Sequence, residues 1–207
     1  VGNWKKSQGN EPPISFINRY LPTETVQENE KIFSVKEYDE KKLIKEFTRQ
    51  HNKRPAIYFY CHAETGERKD KCWIKLTDDR NKLTLNDLER TGYASQESFS
   101  NQLEFDCAPL VFLNACESGQ IDSRFYISFV NFLLLDKKAG GVIGSETKMP
   151  AFFATDFAKK FWESIQNDKK PVGQVLFNLR KDYWRKYNNP LGLMYSLYAN
   201  AELQVTI

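Results

Sequence analysis

The chain has 207 residues, 41% hydrophobic and 14% aromatic, enough to fill a sizeable core and too apolar for global disorder. Net charge is only +3 with both signs mixed along the chain, so pairs such as Lys53-Arg54 and Arg68-Lys69 read as solvated turns and no direct nucleic-acid binding is expected. No secretory leader opens the chain and no apolar run is long enough to cross a bilayer, so a cytoplasmic location without a membrane partner is expected.

The chain begins at Val1 rather than Met, which suggests a piece of something longer. Residues 1–30 are polar and carry Pro12, Pro13 and Pro22; they read as an N-terminal extension or linker, with the domain proper at 31–207. Lys31–Val35 is a candidate short strand. Asp39 is a candidate N-cap for a helix with Leu43, Ile44 and Phe47 on one face, ending near Gln50 before Pro55. Ala56–Cys61 is short, continuously apolar and rich in β-formers, the pattern of a strand buried on both faces of a parallel sheet. Cys72–Leu76 and Lys82–Leu85 flank Asp78-Asp79-Arg80-Asn81 as a hairpin, and Thr84-x-x-Asp87 resembles a capping box opening a short helix.

Leu110–Ala115 is a second buried strand, and Phe125–Leu135 is apolar nearly all round, as in a well-buried helix. Gly141–Ser145 is a third strand. Pro150 can open a helix whose Phe153, Phe157, Phe161 and Ile165 recur every four residues on one face. Val172, Val175, Leu176, Leu179 and Tyr183 mark another helix, and Leu193–Leu197 and Leu203–Ile207 look like closing strands. Buried strands alternating with helices predict an α/β domain with a mostly parallel central sheet.

In such a sheet the carboxyl ends of parallel strands lie along one edge, where ligands bind. His62 follows the apolar run ending at Cys61, and Cys116 follows the run ending at Ala115. If the two strands are neighbours, an imidazole and a thiol emerge side by side. A thiolate is a nucleophile, and an imidazole can take its proton and later protonate a leaving amine. Gly119 permits a sharp turn after Cys116 that can aim N–H groups at an oxyanion; the N–H groups of Cys116 and Ala63 are the candidate donors. His51 lies in a charged loop and reads as exposed. Cys61, Cys72 and Cys107 read as structural thiols: four cysteines are too sparse for a disulfide scaffold, and no CxxC pair suggests zinc. A buried cysteine is usually inert, so the joint placement of His62 and Cys116 carries the argument, not either residue alone.

At Ala115-Cys116-Glu117-Ser118-Gly119 the chain resembles the caspase-like cysteine peptidases, which carry an Ala-Cys-x-Gly loop with the histidine about 50 residues upstream. It is most similar to the CHAT family. The matching segments, in order, are the strand ending in Cys61-His62 with the hairpin after it, Leu83–Leu88, Val111–Gly119, Gly141–Glu146, the helix entered at Pro150, and Asn189–Tyr198; the resemblance covers roughly 56–207. The resemblance implies a caspase-like three-layer sandwich and a cysteine endopeptidase using His62 and Cys116 through a thioester, without a cofactor or metal. It further implies protein substrates and a regulatory sensor module, such as TPR repeats, in the same or a partner chain. Many caspase-like enzymes have Gly after the histidine where this chain has Ala63, which weakens that oxyanion contribution.

Glu146, at the end of Gly141–Ser145, falls where similar peptidases build the pocket for the residue before the scissile bond. An acidic wall favours a substrate Arg or Lys, and Asp156 is a second candidate for the same role. Two rival readings are a catalytically silent interaction module on the same fold and a nucleotide-binding protein. For the latter, Gly140-Gly141-x-x-Gly144 has neither a Walker lysine nor the GxGxxG form.

Overall fold

The computed structural model describes residues 55–64, 73–75, 82–85, 105, 107–115, 129–147 and 149–205. The strand expected at Lys31–Val35, the helix expected over 39–50, His51, Cys72 and the continuation of the helix begun after Thr84 lie outside the described residues.

Among the described residues six strands form one sheet: β1 (Ala56–Glu64), β2 (Trp73–Lys75), β3 (Lys82–Thr84), β4 (Leu110–Ala115), β5 (Gly141–Ser145) and β6 (Tyr195–Ala199). Their spatial order is β3-β2-β1-β4-β5-β6. β1, β4 and β5 are mutually parallel, and β6 closes the sheet antiparallel to β5. This mostly parallel four-stranded unit is the α/β core that the alternating apolar runs predict. The β2–β3 hairpin, also as expected, extends it antiparallel from the far end of β1.

β1 runs three residues beyond the apolar stretch. Ala56–Cys61 pair with β4, whereas His62–Glu64 pair with β2. His62 therefore lies within a strand rather than just after one, because the hairpin supplies a second partner where β4 ends.

Two long helices cover one face. α1 (Ala151–Asp168) and α2 (Val172–Tyr187) each follow a proline N-cap, Pro150 and Pro171, and end on a left-handed residue, Lys169 and Asn188. Proline suits a helix start because its missing N–H has no helical partner there. Phe153, Phe157, Phe161 and Ile165 of α1 and Val172, Val175, Leu176, Leu179 and Tyr183 of α2 are all buried, as their spacing predicts. They meet Tyr58, Leu110, Phe112, Ile143 and Tyr195 of the sheet in one core. Edge-to-face and offset ring pairs dominate it: Phe157 stacks on Tyr195 at 4.3 Å, and Phe112 meets Phe161 and Tyr195 edge-on at 5.4 and 5.5 Å.

Val111, Leu113 and Val142, at the alternate strand positions, are buried as well, as both-face coverage requires. Outside the aromatic core, the helical segment from residue 129 buries Phe129, Val130, Phe132 and Leu133 and contacts β5. Its last turn, Phe132–Asp136, is π-helical. The all-round burial expected of this helix fails at Leu135, which is 62% exposed, because the widened last turn carries it to the surface.

Two expected C-terminal strands are also revised. Pro190–Met194 form a 3₁₀ turn, with Asn189 Oδ1 accepting from the Leu191 N–H at 2.9 Å, so β6 begins only at Tyr195. Leu203–Val205 are not a strand: the Leu203 carbonyl accepts instead from the Val172 N–H at the start of α2. Gly141 and Gly144 lie within β5 rather than in a phosphate loop. A Cβ at Gly141 would sit 2.6 Å from the Ala199 Cβ, so the close approach of β6 demands glycine there.

Candidate active site at the carboxyl edge of the sheet

The strand that carries His62 and the strand that leads into Cys116 are adjacent and parallel. Their register runs from Ala56↔Leu110 to Cys61↔Ala115. The next residues along the two chains are His62, held opposite Lys75 of β2, and Cys116, which lies outside the described residues. Ala63 sits opposite Ile74 in the same hairpin. An extended strand is a conformation that alanine adopts without strain, so the absence of glycine at this position needs no backbone compensation.

Just below that edge is a polar cluster inside the aromatic core. Asn114 is 0% exposed. Its Nδ2 donates to the Tyr58 hydroxyl at 2.9 Å and to the Ala154 carbonyl at 2.8 Å, and its Oδ1 accepts from the Tyr195 hydroxyl at 2.7 Å. A carbonyl only accepts, so the Ala154 contact itself fixes which end of the amide is nitrogen. Composition and periodicity do not single out Asn114; the usable signal was one polar residue inside an otherwise apolar strand.

Glu146 follows the last residue of β5, and Leu113↔Gly144 places the carboxyl ends of β4 and β5 side by side. Its N–H donates to the Met194 carbonyl at 2.8 Å, and Ser196 Oγ donates to its Oε1. Arg180 of α2 donates to the Tyr195 carbonyl. Burial lowers the pKa of its guanidinium, and the negative charge of Glu146 partly offsets that effect. Tyr198 is pushed up by burial and by the same carboxylate. Glu146 is thus an exposed charge fixed by main-chain and side-chain bonds at the sheet edge.

Asp156 is engaged elsewhere. Its Oδ2 accepts from the Tyr183 hydroxyl at 2.6 Å and from Lys160 Nζ at 2.8 Å, tying α1 to α2. Burial, then the bond to Asp156, pushes the Tyr183 hydroxyl well above the ordinary phenol range. Cys107 is exposed before β4, at the opposite end of that strand from Ala115. Among the described residues no group of His, Cys, Asp and Glu could hold a metal ion, and no helix is long and apolar enough to cross a membrane.

The CHAT domain model matches residues 3–189, most of the chain. The chain belongs to the CHAT domain family. The CHAT domain is also similar, at 26% identity over 155 residues, to a protein from Vitiosangium sp. (strain GDMCC 1.1324) named a probable protease. The aligned region is 72% of this chain but only 19% of that relative, so the chain spans about a fifth of its length.

Proposed function

We propose that this CHAT domain is a cysteine endopeptidase in which Cys116 is the nucleophile and His62 its base. The observation that carries the reading is the parallel register of β1 and β4, which ends at Cys61↔Ala115 and leaves His62 and Cys116 as the next residue of each strand. Neighbouring strands lie about 4.8 Å apart, within reach of a thiol–imidazole contact. The protease name of the Vitiosangium relative supports the same class.

In this mechanism His62 removes the Cys116 proton, and the thiolate adds to the scissile carbonyl carbon. The Cys116 and Ala63 N–H groups receive the developing oxyanion. Collapse breaks the C–N bond, and the imidazolium protonates the departing amine. A water then attacks the thioester, giving its proton to His62, and the acid product leaves with the thiol restored. No cofactor enters these steps.

Glu146 is the proposed specificity residue for Arg or Lys before the scissile bond, Arg preferred because its fork can make two parallel hydrogen bonds. Ser196 takes one lone pair of Oε1, and a carboxylate has acceptor sites on both oxygens for the two bonds of a substrate guanidinium. Arg180 draws on the same charge, so a substrate cation must compete with it. Asp156 has the weaker claim, because Tyr183 and Lys160 already occupy its carboxylate. The much longer relative fits a domain that works beside further modules; regulation by a sensor such as TPR repeats, in the same or a partner chain, and action in the cytoplasm complete the proposal.

A peptide-library cleavage assay on the wild type and Cys116→Ala tests the reading. Cleavage after Arg or Lys, abolished in Cys116→Ala, supports it. Turnover retained in the variant removes Cys116, and cleavage after Asp or large apolar residues removes the Glu146 pocket while leaving the dyad.

A further inference from the structure

An amide buried in an aromatic core is costly unless every polar atom is paired. Asn114 meets that condition with partners from three separate elements: Tyr58 of β1, Tyr195 of β6 and Ala154 in the first turn of α1. Replacing both partners of a buried hydrogen bond by apolar groups of the same shape can be nearly neutral for stability, so an all-apolar packing here could serve the core equally well. The amide's distinctive contribution is therefore direction. Apolar contacts let a strand slide by a few tenths of an ångström. Three hydrogen bonds from one planar group do not, because each bond is sensitive to distance and angle.

Asn114 is also two residues before Cys116, and Tyr58 is four before His62. The Asn114–Tyr58 bond thus couples the two strands just below the proposed reacting pair. We propose that Asn114 is a positioning residue that clamps the carboxyl end of β4 to β1, β6 and α1 and so sets where Cys116 leaves the sheet relative to His62. This rests on Cys116 and His62 being the reacting pair. Tyr195 is the second part of the device. It braces the amide from β6 while its ring stacks on Phe157 of α1, so removing only its hydroxyl keeps the packing.

The test uses the full chain as Asn114→Leu, Tyr58→Phe, Tyr195→Phe and His62→Ala. Four quantities are measured: kcat and KM on a cleaved peptide, the thermal midpoint, and the pH dependence of iodoacetamide labelling at Cys116 by peptide mapping. The exposed Cys107 is the internal standard. Asn114→Leu and Tyr195→Phe are expected to lower kcat by roughly tenfold to a hundredfold, the scale of an ångström misplacement, with KM little changed; the thermal midpoint falls as well, because each variant takes a hydrogen bond from a buried partner. Their Cys116 labelling profile should move toward that of His62→Ala, while Cys107 stays as in the wild type. A merely structural amide would lower the thermal midpoint in the same way but leave kcat and the labelling profile of the folded protein as in the wild type. Wild-type kcat and labelling profile in both Asn114→Leu and Tyr195→Phe overturn the proposal. If Asn114→Leu shows no cooperative melting, the two Tyr→Phe variants decide it by the same criteria. If His62→Ala itself leaves Cys116 labelling unchanged, the dyad is wrong and the proposal falls with it, an outcome distinct from a working dyad that ignores Asn114.

Discussion

At the amino ends of β4 and β5, polarity is consumed by the main chain. The Leu110 N–H donates to the Pro55 carbonyl, Gly140 to Pro109, and Phe105 to Lys137, while Gly141 lets β6 close in. At their carboxyl ends, side chains join the main-chain bond from Glu146 to Met194: Asn114 spans three elements, Ser145 Oγ donates to the Thr147 carbonyl, and Ser196 holds Glu146. Main-chain pairing closes an edge and leaves nothing to offer a ligand. Side-chain pairing can hold a group in place and still present it. The same strands therefore have one end closed by main-chain pairing and one that presents side chains, and if the proposed site is right, substitutions at the two ends should separate stability from activity.

The largest separation is expected at the carboxyl end. Loss of a general base typically costs about 10²–10⁴ in rate, so His62→Ala should be nearly inactive with an unchanged thermal midpoint, and His51→Ala should be near normal. Steady-state cleavage assays on both variants check this; equal losses would mean that His62 is not the base. The pH–rate profile should also show an ascending limb near neutrality, where an imidazole and a perturbed thiol titrate.

At the amino end the effect should be on stability alone. Gly141→Val puts a branched side chain where even a Cβ lies 2.6 Å from the Ala199 Cβ and 3.0 Å from Leu203 Cδ2. Overpacking of this kind costs about 1–3 kcal/mol. Urea unfolding should record that loss while cleavage by the folded fraction stays at the wild-type rate; a drop in that rate would blur the distinction between the two ends.

Lys137 sharpens the contrast by pH. Its side chain is 1% exposed, with Nζ 5.2 Å from the Phe105 ring centre, and burial lowers its pKa to about 8 from 10.5. Between those values the folded protein has released a proton that the unfolded chain still holds. The unfolded state binds more protons there, so stability rises with pH across this window. Lys137→Met should remove the rise. Urea midpoints at about pH 7.5 and about pH 9.5 should show the wild type gaining roughly 1–2 kcal/mol on the variant. Parallel behaviour would mean that the ammonium stays hydrated.

The smallest expected effect is at Asp156. Asp156→Asn weakens the bonds from Tyr183 and Lys160, worth about 0.5–1.5 kcal/mol. Thermal melting should show that loss, with the preference for Arg and Lys substrates unaltered. A changed preference would move Asp156 from the helix interface into the pocket.

What the sequence determined by itself was local. Four-residue spacing of phenylalanines named the buried face of α1, continuous β-branched and aromatic runs named the parallel strands, and the Asp78–Asn81 turn named the hairpin, because short-range patterns record which side of an element is dry. The Ala-Cys-Glu-Ser-Gly motif pointed to its family for the same reason: its residues are contiguous. Tertiary structure decided the rest. That β1 lies beside β4 in the Cys61↔Ala115 register depends on residues 54 positions apart. The extension of β1 through Glu64 depends on β2 being there to pair with it. The 3₁₀ turn at Pro190–Met194 and the capture of the Leu203 carbonyl by α2 replaced strands that propensity favoured, since a backbone group takes whichever partner the fold brings to it. Asn114 is the clearest case: one polar residue in an apolar run is silent about its role until Tyr58, Tyr195 and Ala154, from three distant parts of the chain, converge on its amide.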